Sequence, residues 1–131
     1  MVGIVLVSHS YELATGLKKM LEQIQPNVPV AVGAGDDEGQ IGTNLIRIKE
    51  AIESVYSEDG VLVLFDLGSA LFSTELAIEE LGADKKVQIA DAPLVEGAYM
   101  AVVQAGCNSP LEEVRQMAEQ AKELVKIPVD E

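Results

Sequence analysis

Four short apolar runs constrain this chain more than any other feature: Val2 to Val7, Val28 to Val32, Val61 to Phe65 and Val87 to Ala90. They are rich in valine and isoleucine and continuous rather than alternating. That pattern marks strands covered on both faces, as in a parallel sheet. Segments of helical period lie between them. Leu13, Leu17, Leu21 and Ile24 share one face of a first helix, and Ile41, Leu45, Ile48, Ile52 and Val55 repeat the spacing in a second. A third helix is expected from about Ser69 to Leu81, stopped by Gly82. Leu94 to Ala105 is small and apolar on most sides, which suits a well-buried helix. In Ser109-Pro110-Leu111-Glu112 the serine is expected to cap the last helix, with proline at its first position and glutamate completing a capping box. That helix presents Leu111, Val114, Ala118, Ala121 and Val125 on one face and ends before Pro128.

Strand and helix therefore alternate until two helices close the chain. The fold class is α/β, with an open, mainly parallel sheet of four strands (five at most), helices on both faces and right-handed crossovers. Residues 1–131 read as a single domain. A chain of this length buries roughly two-thirds of its unfolded surface, enough for a core without disulfides.

Composition bears mainly on partners. Nine Lys and Arg stand against 22 Asp and Glu, giving a net charge of −13. Such a surface repels nucleic-acid phosphates and anionic membranes, which excludes both as expected partners. No stretch approaches the roughly 18 uncharged apolar residues of a membrane helix. Met1 to Val7 lacks the basic flank and the length of a secretory signal. The one cysteine, Cys107, fits a reducing compartment and has nothing basic nearby in sequence to activate it. A soluble cytoplasmic protein is the expectation.

In open α/β sheets, sites gather where the carboxyl ends of strands lead into helices. That rule selects Ser8-His9-Ser10, Gly33 to Thr43, Asp66 to Leu71 and Ala90 to Glu96. His9 is the only histidine. It is either an ordinary polar loop residue or a nucleophile kept neutral by the positive end of a helix macrodipole. The same helix N-terminus would hold a transferred phosphoryl group. With one histidine and a distant cysteine, no metal site is expected. Asp66 is either a turn or capping residue or, if the first and third strands are neighbours, the carboxylate that orients His9 and fixes its tautomer. Gly68, Ser69 and Ala70 would then supply backbone amides to a phosphoryl group. The glycine-rich loop from Gly33 lacks a Walker lysine and carries three adjacent acids, so it reads as a rim loop. Ser8, Ser10, Gly42 and Thr43 are further rim candidates, Thr43 either capping the second helix or entering the site.

Four segments together carry a resemblance: Val5-Leu6-Val7-Ser8-His9-Ser10, Gly35-Asp36-Asp37 through Ile41-Gly42-Thr43, Asp66-Leu67-Gly68-Ser69-Ala70, and Ala92-Pro93-Leu94-Val95-Glu96-Gly97-Ala98. In this order they resemble the M subunits of phosphoenolpyruvate-dependent dihydroxyacetone kinases, a branch of the mannose-type IIA phosphocarrier domains of the bacterial phosphotransferase system. The resemblance implies that His9 accepts a phosphoryl group from phospho-HPr and passes it to ADP held in the L subunit. It implies Asp66 as the orienting carboxylate, attack through Nε2, amides around Ser69 and Ala70 as phosphoryl ligands, and a homodimer. No cofactor is implied on this chain, since ADP and magnesium belong to the L subunit. Some members continue into HPr-like and enzyme I-like domains, so separate proteins are expected to charge this one. Two alternatives stand beside this reading. One is the IIA domain of a mannose-type sugar transporter, against which the Asp-Leu-Gly-Ser-Ala form counts. The other is a receiver-like signalling module phosphorylated on Asp66, against which the lack of an acidic pair after the first strand counts.

Overall fold

The structure, a computed structural model, describes residues 1–129. It contains strands β1 (Gly3–Ser8), β2 (Val30–Ala34), β3 (Val61–Phe65) and β4 (Val87–Ile89). The helices are α1 (Tyr11–Ile24), α2 (Leu45–Ser54), α3 (Ser69–Leu81), α4 (Leu94–Gly106) and α5 (Leu111–Glu119), followed by a 3₁₀ turn over Gln120–Glu123. All four strands are parallel, in the order β2-β1-β3-β4. The expected sheet is thus found with four strands among the described residues.

Side chains along β1 alternate between two cores, as the strand period requires. Val2, Ile4 and Leu6 join Leu62 and Leu64 beneath α1, α4 and α5. Val5 and Val7 join Val61 and Val63 beneath α2 and α3. The first core relies on close backbone approach. A side chain at Gly97 of α4 would stand 2.8 Å from Ala92 Cβ and 3.0 Å from Leu64 Cδ2.

Four expectations shift. The second strand starts at Val30 rather than Val28, because Pro29 has no amide to donate, although its carbonyl still accepts from Ile4. The second helix starts at Leu45, leaving Ile41 in the preceding loop and 73 % exposed. Gly42 between them has φ +148°, a conformation outside the helix. At the last helix Pro110 is extended (φ −69°, ψ 159°) and its carbonyl accepts from Glu113 and Val114, so the helix begins one residue later than expected. Ser109 accepts from Gln104 instead of capping, and Glu112 pairs with Arg115. The capping box is therefore not formed. The helix also ends early: the 3₁₀ turn stops at Glu123 and Leu124 is extended (φ −68°, ψ 131°), so Val125 lies beyond the apolar stripe and is exposed.

Candidate active site

With β1 and β3 adjacent and Val7 in register with Phe65, the next residues of each strand face one another at the carboxyl edge of the sheet. These are Ser8, His9 and Asp66. The Asp66 carboxylate accepts four hydrogen bonds. Oδ2 takes the Ser8 hydroxyl at 2.8 Å and the His9 amide at 3.0 Å. Oδ1 takes the Leu67 amide at 2.6 Å and lies 3.0 Å from His9 Nδ1. An ionised carboxylate offers about four lone-pair positions, all of which are occupied here. Burial alone raises the Asp66 pKa. The bonds from the His9 and Leu67 amides, the His9 ring and the Ser8 hydroxyl outweigh that, so the group lies below its ordinary value.

This arrangement decides the imidazole tautomer. An ionised carboxylate only accepts, so in the neutral ring Nδ1 carries the hydrogen and Nε2 the lone pair. Nε2 lies 2.9 Å from Ser69 Oγ, which must then be the donor. The ring is partly open, its side chain 21 % exposed. The cavity of about 280 Å³ lined by Ile52, Tyr56, Leu81 and Lys85 lies away from the ring, at the far ends of α2 and α3.

The junctions around the ring explain the other candidates. Ser10 is the N-cap of α1, its hydroxyl accepting from the Leu13 amide at 3.2 Å. Gly42 donates its amide to the His9 carbonyl at 2.9 Å, and Gly35 donates to the Ser8 carbonyl at 3.1 Å. The glycine-rich loop thus braces the His9 backbone as a rim. It also closes on itself, with Asp36 Oδ1 accepting from the Glu38 and Gln40 amides. Thr43 does not cap α2. Asn44 does, accepting from Arg47, while Thr43 Oγ1 lies 3.0 Å from Ser73 Oγ of α3. At the start of α3 the Ala70 amide is already committed to the Leu67 carbonyl at 2.9 Å. Of the three candidate amides, those of Gly68 and Ser69 donate to no protein group among the described residues. Two contacts were not legible in the sequence: the Ser69 hydroxyl on Nε2 and the Ser8 hydroxyl on Asp66. The available signal for Ser8 was a polar residue ending a continuous apolar run.

Residues 3–115 match the EIIA-man family, described as the PTS system fructose IIA component. The chain belongs to the EIIA-man family. Within it, a DhaM phosphotransferase subunit of the PTS-dependent dihydroxyacetone kinase from Lactococcus lactis is 38 % identical over 117 residues, covering 89 % of this chain and 93 % of that one. The DhaM phosphoryl donor subunit of the PEP-dependent dihydroxyacetone kinase from Escherichia coli is 41 % identical over 120 residues. That match covers 87 % of this chain but only 25 % of the E. coli subunit. Among solved structures, a protein of unknown function superimposes with a TM-score of 0.81 at 32 % identity, covering 92 % of this chain and 95 % of that one. The mannose-type IIA fold and the DhaM branch implied by the four segments both stand.

Proposed function

We propose that this chain is a phosphohistidine carrier of the bacterial phosphotransferase system that donates phosphoryl groups to a dihydroxyacetone kinase. The observation that carries the reading is the His9 ring held by Asp66 through Nδ1, with Nε2 open toward the N-terminus of α3. In the first step the Nε2 lone pair attacks the phosphorus of phospho-HPr. The P–N bond to the donor histidine breaks and its electron pair returns to the donor ring. The His9 ring becomes cationic on phosphorylation, and the Asp66 carboxylate facing Nδ1–H stabilises that charge. The Gly68 and Ser69 amides supply donors for the phosphoryl oxygens, at the end of α3 where the macrodipole favours an anion. The Ser69 hydroxyl, which donates to Nε2 at rest, loses that acceptor and turns to a phosphoryl oxygen. In the second step a β-phosphate oxygen of ADP in the L subunit attacks the phosphorus, giving ATP and returning the electron pair to Nε2. ADP and magnesium reside on that subunit.

The open ring suits large partners rather than an enclosed small molecule. Leu67 and Phe72, in the same junction as the free amides, are 61 % and 67 % exposed and offer apolar contact to a docking protein. The −13 charge favours partners that ring their own phosphoryl sites with positive groups, with transient, salt-sensitive docking onto HPr. A homodimer and a cytoplasmic location complete the reading. Phosphorylation on Asp66 itself is disfavoured, because all its lone-pair positions are occupied by donors.

Intact mass after incubation with phosphoenolpyruvate, enzyme I and HPr tests the proposal. One added phosphoryl group, lost in acid, kept in base and missing from a His9→Ala variant, is expected. Folded protein left unmodified by competent donors overturns it.

A further inference from the structure

Ser8 closes an otherwise apolar strand and is fully buried. Polar groups at that depth persist only with partners, and Ser8 has two of opposite sense. The Ser10 amide donates to its Oγ at 3.0 Å, and Oγ lies 2.8 Å from Asp66 Oδ2. The incoming amide occupies one lone pair of Oγ, and the single hydroxyl hydrogen goes to the carboxylate. Ser8 is therefore fixed as a donor toward Asp66. A proton arriving on Oδ2 would meet that hydrogen and the hydrogen of the His9 amide together. Oδ1 is equally closed by Leu67 N–H and His9 Nδ1–H. The three other donors stabilise the ionised carboxylate and lower its basicity, so transfer of the His9 proton along the Nδ1–H···Oδ1 bond is disfavoured.

The geometry points to Ser8 as a positioning residue for phosphoryl transfer: its buried hydroxyl, oriented by the Ser10 amide at the start of α1, holds Asp66 as a pure acceptor and so keeps the proton on His9 Nδ1 and the lone pair on Nε2. This role rests on the carrier reading for its purpose, but not for its mechanism. Ser8 does not touch the phosphoryl group and acts only through Asp66. Without its hydroxyl, Oδ2 keeps one donor, the carboxylate becomes more basic, and the neutral acid that lets the His9 proton leave Nδ1 becomes accessible. The Ser10 amide also loses its acceptor, which loosens the turn that carries His9.

The test compares Ser8→Ala with Ser8→Thr, which keeps the hydroxyl, in two measurements on the whole chain. Imidazole ¹⁵N shifts of the unphosphorylated protein, recorded from about pH 5 to 9, report the tautomer. The rate of phosphorylation by phospho-HPr reports the consequence. Wild type and Ser8→Thr are expected to hold the hydrogen on Nδ1. Ser8→Ala is expected to show both tautomers and to accept phosphate about 10-fold more slowly. Should Ser8→Ala misfold, Ser8→Cys fills similar space with a weaker donor and is expected to repeat the mixed tautomers. A single Nδ1–H tautomer with wild-type rate in a folded Ser8→Ala protein overturns the assignment. Equal defects in folded Ser8→Ala and Ser8→Thr overturn it too, since the hydroxyl would then be irrelevant. The tautomer is read without any donor, so a wild type that accepts no phosphate sinks the carrier reading alone.

Discussion

Two strand-to-helix junctions meet at His9, and they end in different ways. The β1–α1 junction is fully furnished: Ser10 caps the helix, Ser8 is buried between the Ser10 amide and Asp66, and the rim loop donates to the backbone carbonyls of Ser8 and His9. The β3–α3 junction has an aspartate where a cap would be expected, yet α3 has no side-chain cap. Asp66 turns its carboxylate across to the first junction and keeps only the adjacent Leu67 amide from its own. One junction is thereby held by side-chain and backbone bonds and carries His9, the nucleophile of the proposed transfer. The other is left with free amides at Gly68 and Ser69, in a position to receive an anion. The same side chain produces both outcomes.

Substituting Asp66 should break this division most severely. In Asp66→Asn an amide NH₂ replaces one acceptor and faces N–H or O–H donors. Phosphorylation by phospho-HPr is expected to slow by about 100-fold. Stability in urea at neutral pH is expected to fall by about 1–3 kcal/mol, the cost of buried donors left unpaired. The pH dependence sharpens the point. Because the native Asp66 pKa lies below its ordinary 3.8, its contribution to stability is present above that value and is lost as the pH falls through the lower native one. The stability gap between wild type and Asp66→Asn should therefore narrow over that acid window, as unfolding curves recorded at successive pH values would reveal. A gap independent of pH would contradict the role given to the ionised carboxylate.

Ser69→Ala probes the receiving junction. It removes the hydroxyl from Nε2 but keeps the backbone amide. One hydrogen bond of about 1 kcal/mol corresponds to a rate loss of about fivefold. Rapid-quench measurement of phosphoryl uptake should find that modest loss with the site of modification unchanged. Ser10→Ala probes the furnished junction and should have the smallest effect on transfer. Losing the cap costs about 1 kcal/mol of stability, seen in thermal unfolding, while the phosphorylation rate stays near wild type. A large rate loss there would mean that the cap takes part in the chemistry.

Much of this was legible because the physics is local. Continuous apolar runs located the strands, and their parallel order placed Ser8, His9 and Asp66 at one edge of the sheet. The carboxylate on Nδ1 followed once β1 and β3 were adjacent. What could not be read depends on the rotation of single bonds. Ser69 has the same sequence signature whether its hydroxyl faces solvent or lies on Nε2. Thr43 and Asn44 are neighbouring cap formers, and only the course of the chain after Gly42 makes Asn44 the cap and sends Thr43 to Ser73. The start of α5 was missed because proline fits both the first helical position and the extended residue just before it, and ψ decides between them. Ala70 was expected to offer a free amide, but the tight turn at Leu67 uses it internally.

The most direct test of the account is phosphorus–nitrogen coupling in the phosphorylated chain labelled with ¹⁵N-histidine. The account predicts one-bond coupling from phosphorus to Nε2 of His9, with Nδ1 still carrying its hydrogen toward Asp66. Coupling to Nδ1, or phosphorus attached to no histidine nitrogen, would contradict it.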